Sequence, residues 1–217
     1  MLELSPQAAL LLEQVYHDDP LFLAAASEAI ELGAPEMMED MAGAGGLKGV
    51  KLDDVDKLVR FAAGRLREET RIAAFSLSGW DTHKSQARGM GRALMRLERA
   101  ILQLQQGLGA DVWGKTTVLA MTEFGRTAAE NGSGGTDHGT GGAMLVAGGA
   151  VRGGRVFGDW PGLAEAALYQ RRDLMPTSDV RAWAAHAMQG MYGLDRAVLE
   201  GAVFPGLQMG GNPGLIL

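Results

Sequence analysis

The sequence predicts an α/β fold: a mainly parallel sheet flanked by helices, with a helical segment ahead of it. Three observations predict this. Short, mostly apolar runs at 71–78, 116–121 and 143–147 end in glycine or polar residues, as strands buried on both faces do. Between the first two lies a long run, 84–107, with apolar residues three and four apart, the strand–helix–strand order of parallel units. The first 70 residues hold no comparable strand run and carry helical spacing instead. The expected division is therefore a helical subdomain over 1–70 and an α/β domain over 71–217.

The elements follow in chain order. Ser5-Pro6 is a helix start, with a capping side chain and proline at the first helical position. A second helix is expected from Asp19-Pro20 to about Gly33, a Met-rich turn after Pro35, and a flexible break at Gly43-Ala44-Gly45-Gly46. Asp53 or Asp54 caps a helix to about Glu69, its face made by Val55, Leu58, Val59, Ala62 and Leu66. The helix over 84–107 is expected to bury Met90, Leu94, Leu97, Ile101 and Leu104, with Arg92, Arg96 and Arg99 around that face. A Gly-rich loop spans about 125–142, Val151–Phe157 reads as a turn into a short strand, Ser178 starts a helix to about Tyr192, and Asp195 starts a last short one.

Composition excludes several classes. Lys and Arg number 20 against 26 Asp and Glu, a formal charge of −6, which argues against a nucleic-acid binder that must displace counterions with clustered cations. There is no cysteine, so disulfides, thiolate metal sites and cysteine nucleophiles are excluded. No apolar run reaches a membrane-spanning length. Met1-Leu2-Glu3-Leu4-Ser5-Pro6 has no basic start followed by an apolar stretch, so no export signal is read there, and Arg171-Arg172 lies too deep to be one.

In open α/β sheets, ligands sit outside the carboxyl ends of the strands. Three such places carry polar residues: Gly79-Trp80-Asp81-Thr82-His83, Thr122-Glu123-Phe124-Gly125-Arg126-Thr127, and Gly134-Gly135-Thr136-Asp137-His138-Gly139. Two Asp/His pairs on converging loops, in a chain with four histidines, suit an oxygen and nitrogen metal site. The alternative is that the carboxylates cap turns and the imidazoles are ordinary loop residues. Glu123 is open to two readings, a metal ligand or base, or a partner of Arg126. Arg126 either grips an anion with its planar fork or closes that pair. The glycines of 132–142 either bring backbone N–H groups to an anion or make a loose turn.

His17 sits at an expected helix end beside Asp18 and Asp19, and His186 sits inside an apolar helix, where a satisfied core histidine is the favoured reading. Gly109-Ala-Asp-Val-Trp-Gly114-Lys115-Thr116 has the spacing of a phosphate-binding loop. That loop needs a strand before it and a helix after it; here the expected order is reversed, so the match is accidental. No G-x-S-x-G nucleophile elbow occurs.

Four segments together carry a resemblance. Gly-Trp-Asp-Thr-His at 79–83, Thr-Glu-Phe-Gly-Arg-Thr at 122–127, Gly-Gly-Thr-Asp-His-Gly at 134–139 and the 147–156 segment resemble the bacterial domain-of-unknown-function family 1501. That family is similar to the alkaline phosphatase and sulfatase superfamily. The resemblance implies an alkaline-phosphatase-like core with a two-metal site acting on phosphate or sulfate esters, an anionic small-molecule ester as substrate, and a divalent metal, zinc or manganese rather than magnesium or calcium. It implies Asp81, His83 and His138 as ligands of one metal, with Glu123 where the superfamily has an Asp of the second. The Asp-His pair of the superfamily is here Glu123-Phe124, which removes a second-site imidazole. The resemblance also implies that the chain is the C-terminal portion of a core whose N-terminal half, with the nucleophile, is missing. Its longer relatives often leave by the twin-arginine route, whereas this chain as it stands reads as cytoplasmic. Little turnover is expected of it alone, and the rival reading is a non-catalytic binding or structural module. Asp81, His83 and His138 are expected in one coordination sphere, with Glu123 and Asp137 close by and Arg126 as an anion clamp over the open side, because 71–78 and 116–121 are expected to be sheet neighbours.

Overall fold

The structure, a computed structural model, describes residues 54–217. The helices expected from Ser5, Asp19 and Pro35, the glycine break at 43–46 and His17 lie outside the described residues. The chain divides into two compact units, Met1–Phe61 and Ala62–Leu217. The division falls inside the first described helix, α1, Asp54–Leu66, and everything below concerns the second unit.

Helix α2 runs Gln86–Trp113, with non-helical dihedrals at Gly109. Its buried side chains are Ala93, Ala100, Leu104 and Leu108. Of the face expected to be buried, Leu104 is buried and Met90, Leu97 and Ile101 are half-buried, but Leu94 is 52% exposed, because the small side chains of Ala93 and Ala100 complete the packed stripe. Short strands follow, β1 Val118–Ala120, β2 Gly125–Arg126, β3 His138–Gly139 and β4 Leu145–Ala147. Helix α3 spans Val180–Tyr192, and α4, Arg196–Val198, runs into a wider turn over Leu199–Val203.

The content is mixed helix and strand, but the expected parallel arrangement is not found among the described residues. β1 pairs with β4 antiparallel, Leu119 opposite Val146, and β2 pairs with β3 antiparallel, Arg126 opposite His138. A parallel pair needs a crossover, usually helical. The connection from 121 to 144 contains no helix, so the chain turns back on itself. The inner pair continues the outer one with a one-residue slip, and the four strands make one long, interrupted hairpin. Among the described residues the run 71–78 forms no strand and pairs with none of 116–121; it is mostly exposed, Ile72 at 70%. Its ends are tied by side chains, with Tyr192 Oη donating to Arg71 O at 3.3 Å and Arg96 Nη1 to Ser78 O at 3.4 Å. Val151 forms only an isolated bridge with Ile216 instead of a short strand.

The C-terminal core packs Ala185, Leu199, Leu207 and Met209, with Ala182, Met188, Leu194 and Phe204 around them. α3 begins one residue later than Ser178 predicts. Asp179 is the cap, its side chain accepting from Arg181 N at 2.9 Å, while Ser178 Oγ accepts from Trp183 Nε1 at 3.0 Å. Gly109-to-Thr116 closes a helix and precedes β1, the opposite of a phosphate-binding loop. Among the described residues no helix is long and apolar enough to cross a membrane.

Candidate metal centre

Two loops build the site, 79–85 ahead of α2 and 127–137 between β2 and β3, the second delivering His138 as the first residue of β3. Their backbones are laced together: Ser85 N donates to Ser133 O at 3.1 Å, Gln86 N to Gly134 O at 2.7 Å, and Thr136 N to Thr82 O at 3.3 Å. Gln86 Oε1 accepts from both Thr82 Oγ1, 3.1 Å, and Thr136 Oγ1, 2.7 Å. Asn131 Nδ2 donates to His83 O at 3.0 Å. The approach is so close that a Cβ on Gly135 would run into the His83 carbonyl. Ser85 turns the chain into α2 with a left-handed backbone, φ 48°, a conformation that costs a non-glycine residue roughly 1–2 kcal/mol and is held here by the lacing.

These constraints bring three donor atoms together. Asp81 Oδ1 lies 2.9 Å from His83 Nε2 and 2.9 Å from His138 Nε2, and the two nitrogens are 3.1 Å apart. Asp81, His83 and His138 thus form a group able to hold a metal ion. Donors on ~2.1 Å bonds stand about 3.0 Å apart across an octahedral edge and about 3.4 Å apart across a tetrahedral one. The observed triangle lies within a few tenths of an ångström of either, and a two-imidazole, one-carboxylate face leaves other positions open. The side chains are 61%, 44% and 50% exposed in that order, so the site opens to solvent.

The surroundings hold these side chains in place. His83 Nδ1 faces Asp137 Oδ1 at 3.3 Å. His83 Nε2 in turn faces Asp81 Oδ1 at 2.9 Å, so the imidazole stands between two carboxylates, and a set of two imidazoles and one carboxylate suits a metal ion. Asp137 also accepts from Asn131 Nδ2 at 3.0 Å. That hydrogen bond first, and His83 second, hold the Asp137 carboxyl below the usual carboxylate range. The hydrogen bond with His138, then that with Arg126, does the same for Asp81 against the opposing effect of desolvation.

The remaining expected residues take other places. Asp137 stands behind His83. Arg126, 18% exposed, donates to Asp81 Oδ1 at 2.9 Å, to Trp80 O at 2.8 Å and to Thr136 O at 2.9 Å. Its partner is Asp81, not Glu123. Glu123 is exposed and is not part of the three-ligand group. The His138 ring stacks on Phe124, centroids 4.0 Å apart, and Arg172 Nη2 donates to His138 O at 3.1 Å. Asn131, Gln86 and Phe124 are the residues that sequence reasoning missed. Only Asn131, beside Gly132, carried a signal, that of a turn. His186 is a core residue whose Nε2 lies 2.9 Å from Met209 O, with Nδ1 buried and unpartnered.

The model of a family described as "Protein of unknown function (DUF1501)" matches residues 24–202. No curated protein and no solved structure matches the chain.

Proposed function

The chain belongs to the DUF1501 family of proteins of unknown function, and on that premise we propose that its two laced loops hold a divalent metal in a phosphate- or sulfate-ester hydrolase of the alkaline phosphatase and sulfatase kind. One observation supports this above the rest: the carboxylate oxygen of Asp81 meets two imidazole nitrogens at 2.9 Å each, with Asp137 Oδ1 facing the other nitrogen of His83 at 3.3 Å. A divalent cation bound there supplies Lewis acidity toward a phosphoryl or sulfuryl oxygen. The chain's own residues prepare the place. Asp137 and Asn131 orient His83, Phe124 holds the plane of His138, and Arg126 fixes Asp81 while setting a positive charge beside it. The nitrogen and oxygen donors suit zinc or manganese. Two imidazoles disfavour magnesium and calcium, which prefer oxygen. The substrate is an anionic small-molecule ester.

A rival reading, a metal-binding module without turnover, is favoured by Arg126, which is committed to three acceptors and is not free to grip an ester. Calorimetric titration with manganese and zinc, followed by hydrolysis of p-nitrophenyl phosphate and p-nitrophenyl sulfate, separates the two. The hydrolase reading expects metal binding and metal-dependent turnover that His83→Ala and His138→Ala both remove. Binding without turnover selects the module. Metal binding that is equally tight in wild type and both variants overturns the site.

A further inference from the structure

A cavity of about 280 Å³ lies beside the ligand loop, lined by Gly79, Gly89, Arg92, Ala93 and Arg96. It shares that loop with the metal centre. Gly79 is two residues before Asp81, and Gly89 packs so closely on Thr82 that a Cβ there would stand 2.8 Å from Thr82 Cγ2. Arg92 and Arg96 are one helical turn apart on α2 and therefore face the same way. Like charges at that spacing repel, and no carboxylate lines the cavity among the described residues. Arg92 is unpaired among the described residues. Arg96 is drawn down onto the loop backbone: Nη1 donates to Ser78 O at 3.4 Å. The same atom would lie 3.3 Å from a Cβ on Gly79, whose φ of 101° already favours glycine. A guanidinium has five N–H donors, so Arg96 is positioned by one and keeps the others for a ligand.

We infer that this cavity binds a tetrahedral oxyanion, a phosphate or sulfate group, through the paired forks of Arg92 and Arg96. The bound anion removes the repulsion between the two guanidiniums and accepts from both, as arginine pairs do with phosphate. The site does not depend on a metal or on the hydrolase reading, although its position one loop from Asp81 suits a second anionic group of the same molecule.

The test is titration of the full chain at low ionic strength with a chelator present, so that no metal contributes. Inorganic phosphate and inorganic sulfate are added separately, and backbone amide resonances are followed by NMR. The expected result is saturable shifts at Gly79 and Gly89 with one anion per chain. Tighter binding of phosphate assigns the site to phosphate groups, and tighter binding of sulfate to sulfate groups. Arg92→Gln and Arg96→Gln should each weaken binding about tenfold or more, the value of a lost charge-assisted hydrogen bond. Arg88→Gln, one turn nearer the helix start, should leave it unchanged. Circular dichroism checks that α2 survives each exchange of an exposed side chain. Shifts that never saturate, or an Arg88→Gln loss equal to that of Arg92→Gln, would show only a diffuse basic stripe and overturn the site.

Discussion

The loops that carry Asp81, His83 and His138 and the segment from 180 to 217 are held by opposite means. The loops are joined by backbone hydrogen bonds and polar side chains, and all three ligands are exposed. The C-terminal segment is joined by apolar packing, with Leu199 and Ala185 fully buried. Hydrogen-bonded loops place a few atoms within tenths of an ångström but bury little apolar area. Apolar packing contributes much of the stability but is indifferent to such placement. Geometry and stability in this unit are thus separable, and substitutions should be able to damage one without the other.

The largest effect is expected at Gly135. Gly135→Ala forces the two loops apart at the His83 carbonyl and should abolish metal binding by calorimetry, while the far-ultraviolet dichroism of α2 and α3 persists. Retained binding at wild-type affinity would break the comparison. Leu199→Ala is the converse. Emptying a fully buried leucine site costs about 2–5 kcal/mol, read from denaturant unfolding, with metal affinity unchanged below the unfolding transition.

Asp137→Asn sharpens the comparison within the loops. It removes the carboxylate that faces His83 Nδ1, and loss of such a supporting group costs about 10–100-fold in metal affinity. An affinity equal to wild type would show that Asn131 and the backbone suffice to orient His83.

The smallest effect is expected at the α3 cap. Asp179→Ala should cost about 1 kcal/mol of stability, again without touching the metal centre. The Arg181 side chain holds the Asp179 carboxyl below its ordinary value of 3.8. The carboxylate form is therefore favoured in the folded chain, and its contribution is complete above the unfolded value, about 3.9. That contribution is lost as pH falls through the lowered folded value. The difference between wild type and Asp179→Ala should hold constant from pH 7 to about 5 and shrink below pH 4. A gap that instead widens on acidification would remove Asp179 from the capping role.

Much of this molecule could be read in its residues because the signals are local. Spacing of three and four marks α1 and α2, Ser178 places the start of α3 within two residues, and Asp81-x-His83 and His138 on loops mark the group that could hold a metal ion. Each depends on neighbours a turn or less away along the chain. The direction of strand pairing does not. The apolar runs at 116–121 and 143–147 suit a parallel or an antiparallel ladder equally, and the helix-free connection between them, closing through Gly125, Arg126, His138 and Gly139, decided for antiparallel. The roles of the charged side chains were decided in the same way. Arg126 and Asp137 carry the same chemistry wherever they stand. That one holds Asp81 and the other holds His83 follows from contacts 45 and 54 residues apart in sequence. Residue type sets what a group can do, and only the tertiary fold, by closing those long loops, sets which partner it does it with.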